Sequence, residues 1–298
     1  MIEIKNLTKR FDDKTALNNI SFLVPEGTVY GLVGSNGSGK STLLRLLSGV
    51  YFPDGGEVLI DGKAPFNSPD VKAKICYLAD NPYFVHQSTI EEMAKLYKGI
   101  YPSFNKDKFE YLKTVFPLDS RMKISTMSKG MQRQAALMLS LALEPKYLFL
   151  DEAFDGLDPV MRKVLKTLLT DGAAEGMTTI IASHNLRDLD YLCDRVGLIH
   201  FGEILFNDEI ESIKSGIHKV QVAFERVPDA SVFDSLEVIK SERTGSLVQM
   251  IVKGEEEEIM RFIKQLNPTF VEFITPDFEE VFMYELEVKG YDAENIIK

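Results

Sequence analysis

A short glycine-rich stretch (the glycine loop) has the residue types and spacing that hold a chain of phosphates: Gly34, Ser35, Asn36, Gly37, Ser38, Gly39, Lys40, Ser41 and Thr42. Glycines here let backbone N–H groups turn toward a phosphate, and a following helix adds partial positive charge at its N-terminus. Lys40 would reach the β and γ phosphates, and the Ser41 hydroxyl would take one position around Mg²⁺. The loop therefore predicts a site for a nucleoside triphosphate, a chance Gly/Ser turn being the alternative.

Two carboxylates follow the apolar run Leu148-Phe149-Leu150, and they have the chemistry that attack of water on a phosphate requires. Asp151, at the end of this predicted strand, would enter the Mg²⁺ shell, and Glu152 would polarise the attacking water. The alternative is an acidic loop that caps the next helix. Because the glycine loop is also present, we favour the hydrolytic interpretation.

Two further polar elements could face the same phosphates. Ser183-His184 ends another apolar run, where His184 would hydrogen-bond the γ-phosphate and hold the geometry of the water, unless it only packs. Ser128, Lys129 and Gly130 precede a long apolar helix, and a hydroxyl and a glycine at a helix N-terminus can bind an anion. An ordinary helix cap has the same residues, so both interpretations of this second element stay open on chemistry alone.

Alternating strands and helices must position these groups. The glycine loop lies between an apolar strand over 28–33 and a helix over 42–47, and further buried strands are predicted at 74–78, 146–150, 178–182 and 195–200. This alternation predicts an α/β fold with a parallel sheet, which binds ligands at the carboxyl ends of its strands. Asp80, Asp151 and His184 fall at such ends, so the fold would bring them to the glycine loop.

Other segments surround this predicted core. Residues 2–5 and 20–24 alternate between apolar and polar side chains, which favours antiparallel strands. A polar loop is predicted between them over 8–14, and another strand is predicted at 57–61. Helical spacing dominates from Thr89, a capped start, to about Leu143, with breaks at Pro102 and Pro117.

The nucleotide-fold pattern ends near residues 214–216, and a small α+β appendage is predicted over 217–298. Its predicted strands lie at 219–225, 236–239, 247–252 and 270–274, and its predicted helices at 255–266 and 277–286. Either a packing lid or a dimerisation or regulatory element fits this segment.

The composition limits the classes of function. A formal net charge of −11 over 298 residues disfavours a general nucleic-acid binder, which carries a basic face. Cys76 and Cys193 lie far apart without metal-ligand spacing, which indicates free thiols in a reducing compartment. No apolar run approaches the roughly 20 residues that span a bilayer, and signal-peptide features are missing. We expect a soluble cytoplasmic protein that reaches a membrane only through a partner.

In this order and spacing, the motifs resemble those of the ATP-binding subunits of ABC transporters. The glycine loop is similar to the Walker A motif, and residues 148–152 are similar to Walker B. Residues 128–132 resemble the signature motif and residues 154–158 resemble the D-loop. His184 resembles the switch histidine. The resemblance covers residues 1 to about 215. It implies a P-loop NTPase domain over 1–216 with a RecA-like core, an antiparallel β subdomain and a helical subdomain near 85–145, followed by the accessory domain 217–298.

The same resemblance implies a site that a second chain completes. In a head-to-tail dimer, of identical or related chains, each ATP would lie with its Mg²⁺ between one chain's Walker A and the other chain's signature. Ser128 and Gly130 would touch the γ-phosphate in trans, and Asp158 would link the two sites. Phe11 matches the position where the family stacks an aromatic ring on adenine, and packing in the core is its alternative role.

Three positions depart from the family pattern. Asp80 stands where the family commonly has Gln; a carboxylate there could still bind Mg²⁺ or its water, and Gln87 is the alternative candidate for that role. Lys129 replaces a signature glycine, where it either attracts the partner's phosphates or points into solvent. Ser35 occupies a position that is often Pro, and we expect little consequence.

The resemblance implies an ATPase that drives a permease, peripheral on the inner face of the cell membrane. Residues 275–282 resemble the ending of ABC-2-type exporters of the bacitracin and multidrug resistance branch, which favours export. The alternatives are a soluble ABC-type switch in translation or DNA repair and a module that binds ATP without turnover. The permease would dock around 82–99, where apolar residues form either a groove or the helical subdomain's own core: Tyr83, Phe84, Met93, Leu96 and Tyr97.

Overall fold

A computed structural model of the chain describes residues 1–288, which divide into two compact units. The first unit runs from Met1 to Asp208, and the second begins at Glu209. This division lies slightly before residue 217, where the sequence pattern changes, because a short helix over 210–214 packs on the last helix of the second unit.

The first unit consists of mixed strands and helices. Its strands are β1 (Ile2–Phe11), β2 (Lys14–Val24), β3 (Val29–Val33), β4 (Gly55–Ile60), β5 (Ile75–Leu78), β6 (Tyr147–Asp151), β7 (Thr178–Ser183), β8 (Arg195–His200) and β9 (Glu203–Glu209). Its helices are α1 (Lys40–Leu47), α2 (Pro69–Lys72), α3 (Ile90–Ile100), α4 (Lys106–Val115), α5 (Lys129–Leu141), α6 (Pro159–Ala174) and α7 (Leu186–Leu189).

A six-stranded sheet in the order β5-β6-β7-β3-β8-β9 forms the centre of this unit. The pairs from β5 to β8 are parallel, as the alternation of strands and helices predicts. Every residue of β3, β6 and β7 is buried, which explains why these strands lack an alternation of apolar and polar residues. Parallel pairing brings the carboxyl ends of β3, β6 and β7 side by side, and the polar groups that follow them share one edge.

A second sheet has three antiparallel strands in the order β2-β1-β4. Its apolar side chains form one buried cluster with residues of the central sheet and of α1. The predicted polar loop over 8–14 is wrong, because β1 and β2 continue as a hairpin until Phe11 pairs with Lys14. Asp12, with a φ of 47°, forms part of the turn. The register between β1 and β2 shifts at three points, which interrupts the alternation of apolar and polar residues. The sequence pattern therefore does not indicate that both strands extend to the turn.

Helices α3, α4 and α5 fill the chain between β5 and β6. The capped start at Thr89 is confirmed, since its side chain accepts from the Glu92 N–H while Glu92 accepts from the Thr89 N–H. Pro102 and Pro117 lie between helices, as expected. Helix α5 is buried from Arg133 to Leu141, so it forms the core of this region.

The second unit is a four-stranded antiparallel sheet with helices, in the order β11-β12-β10-β13. Its strands are β10 (Ile217–Ala223), β11 (Glu237–Thr244), β12 (Leu247–Lys253) and β13 (Phe270–Ile274), and its helices are α8 (Ile210–Lys214), α9 (Glu256–Gln265) and α10 (Phe278–Val288). Alternate residues of β10 and β12 join Ile259 and Ile263 of α9 in a separate apolar cluster. Residues 289–298 of the predicted appendage lie outside the described part.

None of the helices within residues 1–288 has the length and hydropathy needed to cross a membrane.

Candidate functional site

The glycine loop connects the end of β3 to the start of α1, and its glycines are required by its neighbours. Gly39 has a φ of 119°, and a Cβ there would lie 2.7 Å from the Ala16 carbonyl oxygen. At Gly34 a Cβ would lie 2.3 Å from the Ile199 carbonyl oxygen. Within the loop, the Ser38 N–H donates to the Ser35 carbonyl at 3.2 Å. The loop is therefore folded tightly against β2 and β8 and opens on its other side.

Lys40 begins α1, and its ammonium group is buried inside the loop. Nζ donates to the Gly34 carbonyl at 2.6 Å and to the Ser35 carbonyl at 3.2 Å, and it lies 3.6 Å from Glu152 Oε1. Burial lowers the pKa of Lys40, and the charge of Glu152 opposes that shift. The cation is thus held by backbone carbonyls and one carboxylate, groups that a phosphate can replace.

The next residue, Ser41, meets the end of β6. Its Oγ donates to Asp151 Oδ1 at 3.0 Å, and Tyr77 of β5 donates to Oδ2 of the same carboxylate at 3.2 Å. A hydroxyl and a carboxylate oxygen side by side are the hard oxygen donors that Mg²⁺ prefers. Ser41 and Asp151 therefore fit a magnesium site, as the sequence predicts.

Glu152 and His184 form a contact between the ends of β6 and β7. Glu152 Oε2 lies 2.9 Å from His184 Nδ1, while its Oε1 faces Lys40. Glu152 has a φ of 51°, an uncommon left-handed conformation. Its backbone N–H donates a hydrogen bond to the Ala182 carbonyl of β7. One carboxylate thus faces both the loop lysine and the histidine of the neighbouring strand.

A cleft of about 310 Å³ opens beside the loop, at the lower end of the range for ligand pockets. It is lined by Phe11, Lys14, Ala16, Asn36, Gly37, Gly39, Lys40, Ser41, Thr42, Asp80, Asp151 and Glu152. Phe11 is 40% exposed and contacts Tyr51 edge-on at 5.3 Å between ring centroids, so it is not a core residue. An exposed ring at the rim of a phosphate-binding cleft suits a nucleobase.

Asp80, rather than Gln87, lies at the cleft. Its Oδ1 accepts from Arg133 Nη2 at 2.9 Å, an ion pair that ties the loop after β5 to helix α5. Gln87 is exposed in the segment before α3 and does not line the cleft.

The signature-like residues do not line the cleft of their own chain. Ser128 caps α5 and accepts from the Met131 N–H at 3.3 Å, while Lys129 is exposed. Gly130 lies against Gly156, so that a Cβ on Gly130 would be 2.4 Å from the Gly156 carbonyl oxygen. Asp158 caps α6 through the N–H groups of Val160 and Met161. None of these four predicted residues lines the cleft, and Gly130 packs against the segment that precedes Asp158.

Three polar or charged residues at or behind the cleft were not predicted from the sequence: Lys14, Tyr77 and Arg133. Lys14 belonged to the segment interpreted as a loop. Tyr77 carries a hydroxyl group in a short apolar strand, and Arg133 carries a charge in the buried stretch of α5. Either residue could have been noticed in the sequence, because a polar side chain in an apolar segment needs a hydrogen-bonding partner.

Known proteins of similar sequence and structure agree with this geometry. The family model described as "ABC transporter" matches residues 17–155. The ABC transporter ATP-binding protein YtrB of Bacillus subtilis is 30% identical over 284 residues, which cover 95% of this chain and 97% of that protein. The lantibiotic transport ATP-binding protein SrtF of Streptococcus pyogenes is 28% identical over 236 residues, covering 76% of this chain and 99% of that protein.

A solved structure shares the fold. The dimeric structure of MJ0796, a bacterial ABC transporter cassette, has a TM-score of 0.62 and 23% identity, and the match covers 70% of this chain and 98% of that one. Together with the near full-length match to YtrB, the nucleotide cleft leads to one conclusion. The chain belongs to the ATP-binding subunits of ABC transporters, the ATPases that drive transport across a membrane.

Proposed function

We propose that two chains close head to tail around two MgATP and that their reopening after hydrolysis drives an export permease. The observation that carries this proposal is that Ser128 and Gly130 do not line the cleft that the glycine loop forms in the same chain. Ser128 and Lys129 are exposed, so a second copy of the chain can bring them to the cleft.

Within each site, the residues of the chain have separate roles. Lys40 would exchange its carbonyl partners for the β and γ phosphates, and Phe11 would stack on adenine. Ser41 and Asp151 would hold Mg²⁺, with Asp80 at its edge, and the ion would neutralise phosphate charge. Glu152 would orient and polarise water, and His184, held by Glu152, would hydrogen-bond the γ-phosphate.

We further propose that the permease docks between the helical region and the six-stranded sheet. A groove of about 330 Å³ is lined there by Tyr77, Pro82, Tyr83, Phe84 and Tyr97, among others. Tyr83 is 85% exposed and Leu96 is 41% exposed, which suits a protein interface, whereas Met93 is buried and belongs to the core. Docking there would bring the chain to the inner face of the membrane.

The direction of transport is proposed from the resemblance of residues 275–282 to the ending of ABC-2-type exporters, whereas the names of the relatives support transport alone. SrtF is named for lantibiotic transport. Both relatives described above are transporter proteins, which gives no support to a switch in translation or DNA repair.

Complementation between two defective chains tests the dimer. In a Glu152→Gln background that slows hydrolysis, Lys40→Ala damages the glycine loop and Ser128→Asp places a negative charge at the signature. Aspartate keeps the helix cap, because it caps as well as serine. A mixture of the two defective chains retains one intact site, so ATP-dependent association should return in the mixture although each variant alone stays monomeric. Light scattering after size exclusion measures it.

Ser128→Thr is the matched control, since it keeps the hydroxyl and the helix cap without adding charge and should still associate. A mixture that stays monomeric while the Ser128→Thr chain dimerises with ATP would overturn the trans arrangement. Association of the Ser128→Asp variant by itself would overturn it as well.

A further inference from the structure

Arg133 has an unusual position for a charged side chain. It lies in the second turn of α5, only 8% exposed, at the start of the stretch from Arg133 to Leu141 that is buried throughout. Its guanidinium contacts three acceptors: Asp80 Oδ1 at 2.9 Å and the carbonyl oxygens of Ala79 and Asp151 at 3.4 Å each. One side chain therefore connects the helix that begins at the signature to the ends of β5 and β6.

The charges of Arg133 and Asp80 form a matched pair. An arginine stays protonated in proteins, so a buried guanidinium needs acceptors and, best, a carboxylate. Removing one member of such a pair leaves the other charge uncompensated, which costs more than losing both. Asp80 is half exposed and lines the cleft, whereas Arg133 is buried behind it.

The cleft is where this charge matters. Asp80 lines it together with Asp151 and Glu152, and a triphosphate entering it would meet three carboxylates. Lys40 compensates Glu152, and Arg133 compensates Asp80. Without Arg133, the Asp80 carboxylate would repel an incoming phosphate chain and could also swing away from the rim.

We propose that Arg133 is a positioning residue for the nucleotide site, which holds the Asp80 carboxylate at the cleft rim and cancels its charge toward the triphosphate. The inference rests on the proposed function only in requiring that the cleft binds ATP. Because Arg133 also belongs to the signature helix, a movement of α5 relative to β5 changes the charge that the cleft presents.

Fluorescence titration with trinitrophenyl-ATP in EDTA tests the proposal on the full-length chain, since no divalent ion then masks the carboxylate. Arg133→Gln should weaken binding by about three- to tenfold, and Asp80→Asn should strengthen it by a similar factor, because the two changes shift the local charge in opposite directions. The double variant should return to within about twofold of wild type.

Opposite signs separate this role from a purely structural one, since loss of a fold-stabilising contact would weaken binding in both single variants. Lys219→Gln breaks a comparable, partly buried ion pair with Glu280 in the second unit and should leave binding unchanged. Thermal melting reports folding of each variant, and if Arg133→Gln does not fold, the Asp80→Asn result decides alone.

Equal weakening by Arg133→Gln and by the double variant would overturn the pairing, as would unchanged or weaker binding in Asp80→Asn. Wild-type chain that does not bind the probe, with or without Mg²⁺, would instead refute the proposed function itself. The two failures are therefore distinguishable.

Discussion

Replacing Glu152 with Gln should slow ATP turnover and at the same time tighten ATP binding. Glu152 contacts two groups that a triphosphate also needs: Lys40 Nζ at 3.6 Å and His184 Nδ1 at 2.9 Å. The carboxylate is therefore both the proposed water-polarising group and a competitor of the phosphates for Lys40. Glutamine keeps its length and hydrogen-bonding ability but loses its charge.

The two effects differ in size. Loss of a positioned general base lowers a rate by about 100- to 10,000-fold. At 3.6 Å, the attraction between Lys40 and Glu152 is about 4.6 kcal/mol for an effective dielectric of about 20 and about 1.2 kcal/mol in bulk water. Because glutamine and the carbonyls still hold Lys40, we expect a net gain in ATP binding near the lower figure, about tenfold.

Phosphate release measures the turnover, and titration with trinitrophenyl-ATP in Mg²⁺ measures the affinity. Glu175→Gln, at the exposed C-terminal cap of α6, is a control of the same chemistry away from the cleft. Turnover within about threefold of wild type would exclude Glu152 from the catalytic role, since loss of a general base costs at least about 100-fold. Slow turnover with unchanged affinity would refute the competition for Lys40.

Three further outcomes follow from the site. Phe11→Ala should weaken ATP binding by about tenfold or more, the value of one stacked base, while inhibition by tripolyphosphate stays unchanged and Phe11→Tyr binds normally. Lys129→Ala should leave the rate of phosphate release within about threefold, because this exposed side chain adds at most a screened, solvent-facing charge. Gly130→Ala should lower the melting temperature by about 3 °C or more, since the new Cβ meets the Gly156 carbonyl oxygen at 2.4 Å, whereas Gly99→Ala in open space should not lower it.

Sequence reasoning found the parts of the site that follow from local chemistry. The glycine loop, Asp151 and His184 each end an apolar strand, and parallel strands bring their ends to one edge. That argument requires no knowledge of side-chain contacts, and so it predicts which groups meet without predicting the partners they choose.

The partners behind the site could not be predicted, because they depend on contacts between distant segments. Arg133 reaches Asp80 across 53 residues, and Tyr77 reaches Asp151 across 74. Strand β9 was missed for a different reason, since Phe206 is its one fully buried residue and the strand therefore lacks an apolar pattern. The helices α2 and α7 have four residues each, too few for helical periodicity to be visible.

The left-handed backbone at Glu152 has a consequence for related chains that carry a different residue at this position. With a φ of 51°, a long-chain residue here costs roughly 1 to 3 kcal/mol of local strain that glycine would avoid and asparagine would reduce. Glycine or asparagine would relieve this strain but would leave the buried Lys40 without its carboxylate partner. Under the proposed function, a related chain with Gly or Asn at this position is therefore expected to bind ATP and to hydrolyse it slowly.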